Sequence, residues 1–210
     1  MDESISTRDR LLDAATSLFA ERGVDNVSVA EIVRAADQRN TSAVRYHIGN
    51  RDDLLFAVLG RYVPVLSARR RELLIVARQT PATDRLAAVG TIVRPVAELA
   101  QLGWRERAYL RIGSEISGVL DRMTPEIRKL MRRTAGYEAW DLLRERCPEV
   151  PDDLWRIRCE LCVVFVGQAA ADRARHLDDA GGDSPIADER FIDNLIEMVL
   201  GAMTAPHSLT

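Results

Sequence analysis

Arg45, Tyr46 and His47 stand side by side, preceded by Arg39, Asn40, Thr41, Ser42 and Ala43 and followed by Arg51. Guanidinium, phenol and imidazole groups hydrogen-bond to phosphate oxygens, while Arg and Asn can pair with the edges of guanine and adenine. Small residues at the start of a helix allow close approach, and Ala or the Thr methyl can meet a thymine methyl. The chemistry open to this stretch is recognition of a duplex, not bond making. The bland alternative is that most of these side chains are solvated or capping, with Arg39 and Asn40 holding a turn.

The surrounding elements decide whether such a set can be presented. Ser28, with Glu31 three positions on, forms a capping box, and Val27 and Ile32 have the spacing of a hydrophobic staple. A short helix therefore starts at Ser28. A second short helix starts near Asn40 or Thr41 and runs through His47. Asn50 caps a longer helix with Asp52 and Asp53 in its first turn, where the helix dipole favours carboxylates. Ahead of them, a helix from about Thr7 to Arg22 places Leu11, Ala15, Leu18 and Phe19 on one face and ends at Gly23. Two short helices at an angle, the second carrying Arg, Tyr and His, follow the plan of a helix-turn-helix.

The segments RLLDAATSLFAERG (10–23), VSVAEIVRAA (27–36), YHI (46–48) and RDDLL (51–55) resemble the N-terminal domain of the TetR family of transcriptional regulators. They cover about a quarter of the chain. The resemblance implies an all-α fold, with a three-helix helix-turn-helix domain over residues 1–55 and a helical bundle for effector binding and dimerisation over 56–210. It further implies a homodimer that reads a palindromic operator in double-stranded DNA and answers to a small-molecule effector, with repression the expected mode. Arg45, Tyr46, His47 and Arg51 align with the family's phosphate contacts, Thr41, Ser42 and Ala43 with its base-reading helix start. Ser28 is a further candidate, through its hydroxyl and amide. There are departures: Ala36-Asp37-Gln38-Arg39-Asn40 makes a turn one residue longer than usual and lacks the usual Gly, and Ile48 replaces a Phe.

The 210 residues are 47% hydrophobic, enough for a sizeable core, and the net charge is −3. Residues 1–55 hold seven Arg against ten Asp and Glu, so any DNA affinity must come from local placement. The polar start has no apolar h-region, and the longest apolar run, 161–171, is too short to span a bilayer. A cytoplasmic chain without a membrane partner is expected. Cys159 and Cys162 form a lone CxxC on a predicted helix, and the chain has three His, which argues for inert thiols over zinc. No nucleophile elbow, phosphate loop, dinucleotide fingerprint or Glu-x-x-His repeat occurs, so neither catalytic residues nor cofactors are expected.

Beyond residue 55 the pattern stays helical, with predicted helices extending the Arg51 helix past a kink at Pro64, then from Pro81 past Leu99, Trp104 to Leu120, Thr124 to Arg146, Asp152 to Leu177, and Asp188 to Met203. The helix around 161–166 is apolar all round and must be buried on more than one face. Val164, Gly167 and Ala171, with Phe191, Leu195 and Val199 of the last helix, are the expected dimer contacts. Trp104, Tyr109, Met123, Tyr137, Trp140 and Phe165 are the candidate effector lining, although aromatics at helical spacing are more often core. The rival reading is a small-molecule-binding or scaffold protein of helical build without operator activity.

Overall fold

The computed structural model describes residues 6–38, 40, 42–117, 125–179 and 186–206, leaving aside the side chains at 128, 131 and 132. Among them it is all helix and turn, without a strand. Ser6 opens α1 (Thr7–Arg22) by accepting the Asp9 amide, and Leu11, Leu12, Ala15 and Phe19 form its buried face. Gly23, at φ 84°, turns the chain out of α1, a backbone state that favours glycine. After a single 3₁₀ turn at Val24–Asn26, the capping box of Ser28 and Glu31 starts α2 (Val29–Ala35). Val27 and Ile32 are both buried, as a staple requires.

Asp37 resolves the missing glycine after α2. It adopts φ 54°, its amide donates to the Arg34 carbonyl, and the Gln38 amide donates to that of Val33. This is a Schellman stop with Asp in the left-handed position, a conformation that Asp tolerates better than most residues. The chain then enters α3 (Ser42–His47) and passes Gly49 into α4 (Arg51–Gly60), which Asn50 and Asp53 cap reciprocally. Gly49 has φ 128°, and a Cβ there would lie 2.3 Å from an Asp53 carboxylate oxygen. Gly49→Ala is therefore expected to disturb the α4 cap and to cost about 1–3 kcal/mol in stability, measurable as a lowered denaturation midpoint.

The long helix expected to kink at Pro64 is in fact two helices. α4 stops at Gly60, and α5 (Val63–Gln79) begins with Pro64 in its first turn, where a missing N–H costs nothing. Then come α6 (Arg85–Ala97), which contains Pro95 and runs into a 3₁₀ turn at Glu98–Gln101, and α7 (Trp104–Ser117). The helix expected from Thr124 to Arg146 is also two, α8 (Pro125–Arg132) and α9 (Gly136–Arg146), divided where Ala135 turns left-handed at φ 57°. α10 (Asp152–Asp179) and α11 (Asp188–Thr204) match the sequence reading closely.

Two apolar clusters hold these helices. The first joins Leu11, Phe19, Ile32, Val44 and Leu54 of α1–α4 to Tyr109, Ile112 and Ile116 of α7 and to Ala170 and Ala171 of α10. The second packs α5, α6, α9, α10 and α11 around Val89, Leu143, Ile192 and Val199. No gap in the core marks the expected boundary at residue 55, because the first cluster crosses it.

Candidate nucleic-acid interface

α3 is anchored by one fully buried side chain, Val44, with Ala43 partly buried beside it. Everything else on this helix faces outward: Ser42, Arg45, Tyr46 and His47 are exposed, Tyr46 at 85%. An aromatic ring left this open forgoes roughly 2 kcal/mol of burial. The His47 ring meets that of Tyr46 edge-on, with centroids 4.9 Å apart, so the two rings brace one another at the end of α3.

The helix start is held by Asn40. Its Oδ1 accepts the Ser42 amide at 2.9 Å and its carbonyl accepts the Ala43 amide at 3.1 Å. Of the two roles open to Asn40 in the sequence, the structure gives it the turn-holding one. Asp37, Gln38, Asn40, Ser42, Ala43, Tyr46 and His47 line one open depression beside α3. Gln38 was missed by sequence reasoning; its amide nitrogen donates to the Ala36 and Asp37 carbonyls, and nothing in its type or spacing singles it out. Arg39 and Thr41 lie outside the described residues.

Two expected phosphate ligands are engaged elsewhere. The Ser28 hydroxyl donates to Glu31 at 2.7 Å and accepts the Glu31 amide, so the cap absorbs it. Those bonds, with one from Arg22, pull the Glu31 carboxyl down to about 2 and keep an anion at the start of α2. Arg51 is half-buried, and its guanidinium donates to the carbonyls of Val24 and Val27. It ties α4 to the loop before α2, which positions α3.

The remaining expected sites are dispersed. Trp104 and Tyr137 are exposed, Phe165 lies at the surface of α10, and Trp140 packs on the second cluster. Met123 lies outside the described residues. Only Tyr109 is deep, its ring 4.5 Å from that of Tyr62. The five described candidates therefore do not line one cavity. Among the expected dimer contacts, Ala171, Leu195 and Val199 are buried inside the subunit, and Phe191 lies under the Arg173 guanidinium. Val164 is exposed and Gly167 partly so.

A polar seam ties α1 and the 3₁₀ turn after it to the rest. Asp13 of α1 accepts Arg61, which follows α4, at 2.6 Å and Arg105 of α7 at 2.7 and 3.0 Å, while Asp9 accepts Arg61 at 3.0 Å. Burial pushes the Asp13 carboxyl up, but these two guanidinium groups outweigh it and leave it below the ordinary range. Farther along α7, both Glu115 oxygens accept the Val24 amide at 3.2 Å.

Residues 11–58 match the model of the bacterial regulatory proteins of the tetR family. No curated protein matches the chain. Among solved structures, a TetR family transcription regulator from Marinobacter aquaeolei VT8 superposes with a TM-score of 0.61 at 18% identity, covering 93% of this chain and 94% of its own. The fatty acid degradation regulator FadR from Bacillus halodurans gives 0.60 at 14% identity, over 95% and 97%. A bacterial regulatory protein of the tetR family from Rhodococcus RHA1 gives 0.58 at 20% identity, over 93% and 98%. Residues 11–58 thus match the tetR-family model, and the chain as a whole shares the fold of these solved regulators.

Proposed function

We propose that this protein is a dimeric, effector-responsive repressor that binds a palindromic operator through α3. The observation that carries the reading is the outward row of Arg45, Tyr46 and His47 on a helix held to the core by Val44 and capped by Asn40. Arg45, Tyr46 and His47 contact the phosphate backbone, and Ser42 and Ala43 approach base edges from the helix start. Thr41 belongs to the same base-reading set.

Dimerisation supplies the second reading head. The exposed apolar side chains Ile157, Leu161, Val164 and Phe165 of α10, with Met198 of α11, offer a face of the kind that subunits bury. A two-fold axis there sets two α3 helices about one duplex turn (~34 Å) apart, so half-site spacing follows from subunit geometry. An effector that favours a wider spacing lowers operator affinity by population shift. The links of α7 to α1, through Asp13 with Arg105 and through Glu115 with the Val24 amide, are the route by which the bundle moves α3.

In vitro selection of genomic fragments by the purified protein, followed by nuclease footprinting, tests this. Enrichment of a palindrome is expected. Arg45→Ala and His47→Ala each weaken binding to all sequences by about tenfold or more, the scale of one charge-assisted phosphate contact. Changes at Ser42 alter sequence preference instead. A folded dimer that enriches no fragment favours the small-molecule-binding protein without operator activity.

A further inference from the structure

We propose that the effector is a small amphipathic carboxylic acid, and that Arg70 of α5 anchors its carboxylate in the interior of the helical bundle. The inference rests on the effector-responsive reading above and adds the chemical class of ligand to it. Arg70 is 6% exposed. Its Nε donates to the Thr91 carbonyl at 3.2 Å, and its Nη1 donates to the Thr134 carbonyl at 2.5 Å. Both acceptors sit at helix defects. Pro95 has no N–H to give the Thr91 carbonyl four residues before it, and Thr134 precedes the left-handed Ala135. Two guanidinium nitrogens therefore have a structural task, one that a neutral amide donor could also perform. The positive charge and the remaining nitrogen have none.

Comparison with the other buried arginines sharpens this. Arg173 pairs with Asp188, and both terminal nitrogens of Arg146 donate to oxygens of residues 77–84 around the end of α5. Among the described residues, the structure gives the Nη2 of Arg70 no acceptor and Arg70 no carboxylate. Desolvation disfavours a buried cation left in this state, so a persistent one calls for an anion. Burial lowers Arg70 to about 10, with the Tyr109 phenol as the one ionisable group that offsets it, so the guanidinium stays charged near neutral pH.

The surroundings fit a carboxylate with an apolar body. Ser67, one turn before Arg70 on the same face of α5, is buried, as are Tyr62 and Tyr109, and none of these three hydroxyls has a hydrogen-bond partner among the described residues. Among the described residues the one side-chain polar atom that is both sealed and unpartnered is Arg111 Nε, so the free ends of Arg70, Ser67, Tyr62 and Tyr109 keep accessible surface. A carboxylate takes one charge-assisted bond from Nη2 and accepts from hydroxyls; the aliphatic or aromatic remainder lies among Leu66, Leu74 and Ile112. Arg70 spans α5, the α6 kink and the α8–α9 break, and Tyr109 belongs to α7, the helix that also carries Arg105 and Glu115, so an acid seated here acts on the helix that holds α1.

Calorimetric titration and thermal shift on the full-length chain without DNA test the anchor, with sodium octanoate and sodium phenylacetate as probes and octanol and phenylethanol as uncharged counterparts. The acids are expected to bind and to raise the unfolding temperature, and the alcohols to bind about tenfold more weakly or worse. Arg70→Met erases that preference. Should Arg70→Met not fold, Tyr109→Phe keeps the ring, removes one hydroxyl and weakens the acids more than the alcohols. Equal binding of acid and alcohol, unchanged acid affinity in these variants, or no acid binding to the wild type overturns the proposal. Operator selection on ligand-free protein is a separate readout: operator binding without acid binding removes only the anchor, and acid binding without an operator removes the regulator.

Discussion

Leu161→Asp is expected to convert the dimer to monomers and to lower operator affinity by about a thousandfold or more, toward the non-specific level. Leu161 is 65% exposed, with Ile157 one turn before it and Val164 and Phe165 one turn after, all open on the same side of α10. A patch of large apolar side chains on one helix face is unusual for a surface that meets only water. In the two-fold packing proposed here this face meets itself, so each dimer buries two copies of the new carboxylate near one another. Desolvation and mutual repulsion then oppose association. The fold is untouched, because Leu161 belongs to neither core cluster. Loss of the dimer removes simultaneous engagement of two half-sites, which is why the effect on DNA exceeds that of any contact residue. Sedimentation equilibrium and a mobility shift on one sample check it. A variant still dimeric at micromolar concentration places the contact on another face.

The residue pattern announced the helices that carry their own punctuation. Ser28 with Glu31, Asn50 with Asp53, and Gly23 mark ends through local hydrogen bonds and backbone sterics, so they can be read without tertiary information. The break between α8 and α9 has no such mark: Ala135 is a good helix former, and only its surroundings hold it left-handed. At Pro64 the signal was visible but its meaning was not, since a proline in a helical pattern can kink one helix or open another. Leu195 and Val199, whose apolar stripe suggests a dimer face, belong to the subunit core. Periodicity identifies a buried face without saying what covers it. Arg51 shows the same limit for charge: its type suits a phosphate, yet the carbonyls of Val24 and Val27 hold it. Arg70 has no sequence signal, because its meaning lies in the absence of a carboxylate partner among the described residues.

Phe19→Ala is expected to destabilise the whole chain by about 3–5 kcal/mol, the usual cost of emptying a buried aromatic site. Phe19 is 1% exposed and among the largest fully buried side chains. Its neighbours in the first cluster come from both sides of residue 55: Ile32 and Val44 from α2 and α3, and Ile112 and Ile116 from α7. A self-contained N-terminal domain would melt alone and leave the bundle folded. Here the core is continuous, and the Asp13–Arg61–Arg105 ion pairs run across the same junction. The loss should therefore appear as one cooperative transition, lowered by about 6–20 °C for a chain of this size, in circular dichroism and calorimetry alike. Two separated transitions in the variant would show that α1–α3 unfold independently of α7. That outcome would also weaken the route proposed from the effector to α3, because a signal carried by packing needs the packed elements to fold and move as one body.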